Sequence, residues 1–139
     1  MKLTYPACFY KDEESGAYAV EIPDLPGCAT GGNDLADAIF MGIDAASGWV
    51  LTELEDGGRI PAASAIEAIQ PDPGGFVSIL VLDMDAYALK YGSKAVRKNL
   101  TIPAWLNTFA ESRHINFSQV LQDSLTAIYT QQLTESQHH

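Results

Sequence analysis

Near the C-terminus, residues 97–102 alternate, with Arg97, Asn99 and Thr101 on one side and Lys98, Leu100 and Ile102 on the other, and Pro103 follows at once. Strict alternation is a strand pattern, and proline suits the first turn of a helix, so a short strand is expected to pass directly into one. Leu106, Phe109 and Ala110 give that helix an apolar face, which Arg113-His114-Ile115 ends, with His114 placed to complement the helix dipole. Asn116 is the expected cap of a second helix, with Gln119 at capping-box spacing. Val120, Leu121, Leu125 and Ile128 form the second helix's apolar stripe. One strand and two helices cannot bury their own apolar faces, and the strand's edges stay open to pairing. The physical remedy is a twofold dimer, in which two strands pair antiparallel and four helices share a core.

Such a ribbon would expose two copies of Arg97, Asn99 and Thr101 on its polar face. A two-stranded ribbon fits the DNA major groove, where arginine matches guanine edges and asparagine matches adenine edges. These three residues are therefore the candidate base contacts. The free N–H groups at Asn116, Phe117 and Ser118 are candidate phosphate contacts, together with Lys94. Lys98 is expected to lie toward the dimer core and extend its ammonium outward.

The N-terminal part reads differently. Residues 3–10 and 17–22 are expected strands joined by a polar turn, and Pro23-Asp24-Leu25-Pro26-Gly27 breaks regular structure because neither proline can donate to a ladder. Residues 28–30 suit a short third strand ended by Gly31-Gly32. Asn33 is the expected cap of a long helix whose apolar face is Leu35, Ile39, Ile43, Ala46, Val50 and Leu54. Gly42 and Gly48 weaken that helix unless they admit a close neighbour. Gly57-Gly58 ends it. Residues 76–82 are apolar at nearly every position and read as a strand buried on both faces. The order β-β-β-α-β makes an α+β domain over residues 1–89, with a second domain over 90–139 and a linker at Gly92-Ser93.

Charge divides the same way. Residues 1–89 hold 15 acids and 3 bases, a net of −12, whereas residues 90–139 hold 3 acids and 5 bases, a net of +2. The basic half suits a phosphate backbone; the acidic half suits a basic partner.

Other classes are set aside by composition. No apolar run reaches the roughly 20 residues that span a bilayer. Two cysteines, Cys8 and Cys28, make no disulfide framework, which fits a reducing, cytoplasmic setting. No zinc-ligand spacing occurs, no cofactor is expected, and the carboxylates do not group into an evident metal pair. Cys28 has only His114 as a histidine partner, on the other domain, so it reads as a small buried residue. Trp49 and Trp105 read as packing residues, and His138-His139 as remains of a purification tag.

Two stretches resemble known families. Residues 97–103 with Asn116-Phe117-Ser118-Gln119-Val120-Leu121 resemble the ribbon-helix-helix DNA-binding domain. Tyr5-Pro6, Gly16-Ala17-Tyr18, Pro23-Asp24-Leu25-Pro26-Gly27-Cys28-Ala29-Thr30-Gly31-Gly32 and Gly58-Arg59-Ile60-Pro61 resemble the HicB family of antitoxins. The helix start Asn33-Asp34-Leu35-Ala36-Asp37-Ala38, which lacks the usual glutamate before its alanine, and Ala63, where many members have proline, depart from its pattern. The resemblance implies a degraded RNase-H-like N-terminal domain, no enzymatic activity, and a HicA-like RNA-cleaving toxin as partner. It also implies repression of the protein's own operon through operator DNA. Asp12, Glu13, Glu14, Asp24 and Asp37 are the candidate toxin contacts, on the reasoning that carboxylates mimic the phosphates a basic RNA-cleaving surface binds. A homodimer, with a homotetramer through N-terminal contacts, is the expected assembly. An orphan regulator and a divalent-metal nuclease remain the alternatives.

Overall fold

The computed structural model describes residues 1–92 and 95–137, which divide into two compact units, Met1–Gly92 and Ser93–His139. The linker residue Ser93, the phosphate-contact candidate Lys94 and the tag reading of His138 and His139 lie outside the described residues.

The first unit is a four-stranded antiparallel sheet with order β3-β2-β1-β4, built from β1 (Lys2–Lys11), β2 (Tyr18–Glu21), β3 (Ala29–Gly32) and β4 (Gly75–Asp83). A long helix, α1 (Leu35–Glu55), sits between β3 and β4 in sequence and packs on one face, in the expected β-β-β-α-β order. A 3₁₀ turn over Ile66–Ala68 precedes β4, and α2 (Met84–Tyr91) follows it.

Register decides which residues meet α1. Tyr5 pairs with Leu80, Phe9 with Phe76 and Val20, and Leu3 with Leu82, so these share one sheet face. Tyr5, Phe9, Val20, Leu80 and Leu82 are all buried, with Ala38, Ala46 and Val50 of α1 opposite them. Each large side chain so buried contributes about 1.5–3 kcal/mol. The rings of Phe9 and Phe76 stack at 5.4 Å between centroids. Gly42 explains why α1 tolerates a poor helix former: a Cβ there would lie 3.2 Å from Leu80 and 3.3 Å from Val20. Gly32 is tighter still, since its Cβ would fall 2.2 Å from the backbone nitrogen of Ala38. Gly31 and Gly32 therefore belong to β3 instead of ending it, as their small size lets the first turn of α1 lie against the strand.

Two local expectations change. Asp34, not Asn33, caps α1: its carboxylate accepts the Asp37 N–H at 2.8 Å, and the Asp37 carboxylate accepts the Asn33 N–H at 2.8 Å. This reciprocal pair satisfies two of the N–H groups left free at a helix start. β4 is not buried on both faces. It is an edge strand, and on the side away from α1 Ile79 and Val81 are 40% and 54% exposed. Its apolar run reflects one face against α1 and another left open.

The second unit holds α3 (Ala104–Ser112) and α4 (Phe117–Gln137). Residues 95–103 form neither strand nor helix. The strand expected at 97–102 is absent for a physical reason: a ladder needs a second strand, and the described residues of this unit offer none. Ala110 is the one fully buried residue in the described part of the unit. Leu100, Ile102, Leu106, Phe109, Phe117, Val120, Leu125 and Ile128 are all exposed, and Trp105, expected to pack, is 72% exposed. His114 adopts φ 54°, and its N–H and that of Ile115 bond to Glu111 and Ala110 carbonyls at 3.1 and 3.0 Å. That is a Schellman ending with histidine in the usual glycine place, a backbone role instead of a dipole cap. Asn116 does cap α4, accepting the Gln119 N–H at 3.0 Å, but Gln119 turns its amide to Asp123 at 2.8 Å, so the capping box is half formed.

Candidate functional site

The five candidate acids fall on three separate segments of the first unit. Asp12, Glu13 and Glu14 lie in the exposed β1–β2 turn, where Asp12 accepts the Glu14 N–H at 3.0 Å. Asp24 is half-buried and fully engaged: its two oxygens accept the Ser64 N–H at 2.8 Å and the Ser64 hydroxyl at 2.6 Å. Asp37 serves the α1 start, as described. Three of the five, Asp12, Asp24 and Asp37, thus accept hydrogen bonds that shape the fold, and Glu13 and Glu14 stand exposed beside Asp12 in the turn.

The Pro-Asp-Leu-Pro-Gly loop is held on several sides. Leu25 is buried, and its N–H bonds to the Ile22 carbonyl at 3.1 Å, while Cys28 N–H bonds to the Leu25 carbonyl at 2.9 Å. Gly27 takes φ 77°, a left-handed conformation suited to glycine. The Trp49 indole N–H donates to the Pro26 carbonyl at 3.0 Å, fastening the loop to α1. Burial raises the Cys28 thiol above its ordinary pKa of 9.0, which leaves it protonated and weakly nucleophilic at neutral pH. Among the described residues no three His, Cys, Asp or Glu side chains converge to hold a metal ion.

Reading by acid type alone misses a surface on α1. Between Lys11 and Arg59 lie 47 residues with 11 carboxylates and no Lys, Arg or His. Within that stretch Phe40 is 70% exposed and Met41 is 40% exposed. Both lie outside the expected Leu35/Ile39/Ile43 stripe, although the face that is buried runs through Ala38, Gly42, Ala46 and Val50 and leaves Leu35 38% exposed. α1 has the length and apolar content of a membrane-spanning helix, yet one of its faces lies on the sheet and it carries Asp37, Asp44, Glu53 and Glu55. Tyr87 of α2 approaches the helix at Gly48, where a Cβ would meet the phenol oxygen at 3.0 Å. Burial, with the Asp44 charge adding to it, raises the Tyr87 phenol above its ordinary value of 10.0.

In the second unit, Arg97, Asn99 and Thr101 are exposed on the segment before α3, and Asn116, Phe117 and Ser118 are exposed at the start of α4. The cap makes Asn116 a side-chain acceptor. The N–H groups of Phe117 and Ser118 stand at the first turn of α4, where a helix leaves its donors unpaired.

Comparison with known proteins covers nearly the whole chain. A 14.9 kDa protein from the rep-hol intergenic region of Haemophilus phage HP1 (strain HP1c1) is 34% identical over 106 residues, 75% of this chain and 76% of that protein. A toxin-antitoxin complex from Streptococcus pneumoniae contains a chain of 28% identity with a TM-score of 0.59, matched over 91% of this chain and 99% of that one. The Burkholderia pseudomallei antitoxin HicB matches with 26% identity and a TM-score of 0.53, over 93% of this chain and 98% of that one. Residues 5–124 match the family described as HicB_like antitoxin of bacterial toxin-antitoxin system. That match takes in most of the sheet, the Pro-Asp-Leu-Pro-Gly loop, α1, α3 and the start of α4, and with it the chain belongs to the HicB-like antitoxin family.

Proposed function

We propose that this protein neutralises a HicA-like, mRNA-cleaving toxin through its first unit and represses its own operon through its second. The first unit, taken as residues 1–89, is then a non-catalytic RNase-H-like domain, and residues 90–139 are a ribbon-helix-helix domain. The observation that carries the reading is the segregation of charge onto two separate units: −12 against +2. A chain repelled by nucleic acid over one part and attracted over the other serves two partners of opposite sign.

The second unit's exposed apolar side chains support pairing with a second copy, because helices with one buried residue among those described gain little core alone. Pairing would set residues 97–102 of two copies side by side, presenting Arg97, Asn99 and Thr101 to base edges. Phe117 and Ser118 N–H groups, the Asn116 turn and Lys94 would then meet phosphates. The assembly is a homodimer, extended to a homotetramer if first units also associate.

Affinity capture with the full chain from lysate of its source tests the reading. Recovery of a small basic protein in near-stoichiometric amount, whose RNA cleavage the chain inhibits, is the expected result. Recovery of DNA alone would remove the toxin role and leave a regulator without a toxin. Divalent-metal-dependent RNA cleavage by the purified chain would favour a nuclease instead.

A further inference from the structure

We propose that the N-terminal half of the outer face of α1, centred on Phe40 and Met41 between Asp37 and Asp44, is the docking site for the basic toxin. This rests on the antitoxin reading and gives it a location that, of the five acids of the sequence reading, includes only Asp37.

The four positions stand at i, i+3, i+4 and i+7, which places them together on one helix face. The opposite face of α1, with Ala38, Gly42, Ala46 and Val50, is buried. Further along the helix, Tyr87 covers Gly48, whereas Phe40, Met41 and Asp44 remain exposed. The result is an exposed aromatic ring and a thioether bracketed by carboxylates. An interface centre is typically an aromatic or Met anchor, with charges at its rim that select the partner. An exposed aromatic ring three residues from Asp37 and four from Asp44 combines the two features, ring face and carboxylate, that attract a guanidinium.

Charge names the occupant. A second copy of the same face would set Asp37 and Asp44 against their equivalents, and no cation lies between residues 12 and 58 to relieve them. A lysine- and arginine-rich surface that also carries apolar side chains meets both features. The toxin of the proposed function has that chemistry, since its own substrate is a polyanion.

The probe is the basic protein whose growth arrest the parent chain relieves, titrated calorimetrically against the full-length parent and variants at low and moderate salt. Phe40→Ala is expected to lower affinity at least tenfold. Asp44→Lys is expected to do the same and to flatten the salt dependence. Both side chains are exposed, so melting temperature and operator binding should stay with the parent. Ile79→Ser, on the other sheet face, should bind within twofold of the parent. Affinities of Phe40→Ala and Asp44→Lys within twofold of the parent would overturn the proposal. A large loss in Ile79→Ser alone would overturn it too and move the interface to β4. If Phe40→Ala dissociates the oligomer by light scattering while keeping toxin affinity, the face belongs to a second copy and the proposal falls. A parent chain that relieves no arrest removes the antitoxin reading itself, a different failure from unaffected variants of a working parent.

Discussion

Asp24 offers the clearest separation of a structural carboxylate from a docking one. Its oxygens take both polar hydrogens of Ser64, at 2.8 and 2.6 Å, across 40 residues of sequence. Hydrogen bonds to a charged group contribute about 1.5–3 kcal/mol each when buried. Asp24 is half-buried, and solvent screening brings the pair down to about 2 kcal/mol. Asp24→Ala should therefore lower the melting temperature of the first unit by about 8–16 °C, at 4–8 °C per kcal/mol for a domain of this size. Ser64→Ala removes the hydroxyl bond and leaves the amide bond, so about half that loss is expected. In the double variant the losses should fall short of additive, because both substitutions break one clasp. Circular dichroism melts of the four proteins supply the cycle, and toxin titration well below the transition supplies the control. Asp24→Ala protein that melts within about 2 °C of the parent would refute the clasp energy. Unchanged melting with lost toxin affinity would refute the structural assignment altogether and return Asp24 to the docking surface.

Arg97→Ala and Asn99→Ala should each weaken specific operator binding by about 1–3 kcal/mol in mobility-shift titrations while leaving affinity for random duplex nearly unchanged. Gly32→Ala should destabilise the first unit by about 3 kcal/mol or more in denaturant melts, since the added methyl meets the Ala38 backbone at 2.2 Å and no side chain there can yield. His114→Gly should stabilise the second unit by about 1 kcal/mol, because φ 54° strains an L side chain and not glycine. Burial holds the Cys8 and Cys28 thiols above 9.0, so the folded chain keeps protons that the unfolded chain releases. That stabilisation is full below pH 9 and declines as pH rises beyond it, and thiol reagents at pH 8 should label both cysteines slowly until denaturant is added.

Much of this was readable in the residues. The β-β-β-α-β order follows from periods of two and of nearly four, and Gly42 was legible as a place of close approach because a glycine on a helix's inner stripe needs a neighbour to justify it. What was not readable depended on strand order and on which backbone groups the folded chain brings together. Residues 76–82 are apolar on both sides, and such a run looks the same in a central strand as in an edge strand; only the order β3-β2-β1-β4 leaves Ile79 and Val81 outside. Asn33 and Asp34 are both good caps, and the choice fell to Asp34 because Asp37 could reach back to the Asn33 N–H. Asp24 and Asp37 look like surface acids in a list of charges, whereas their partners lie in backbone groups that no composition reveals. The strand at 97–102 was read from alternation, which reports which side chains lie together and is silent about whether a hydrogen-bonding neighbour exists in the same chain.

The second unit's lack of an interior has a consequence for lifetime. Among the described residues of the helix pair Ala110 alone is buried, so the pair gains little from closing on itself, and in the proposed dimer its resistance to proteases would come from association. Such a tail would be exposed faster as the chain becomes scarcer, because dilution dissociates the dimer. In that dimer abundance and turnover would be tied together, since a fall in synthesis would be amplified by dissociation on dilution.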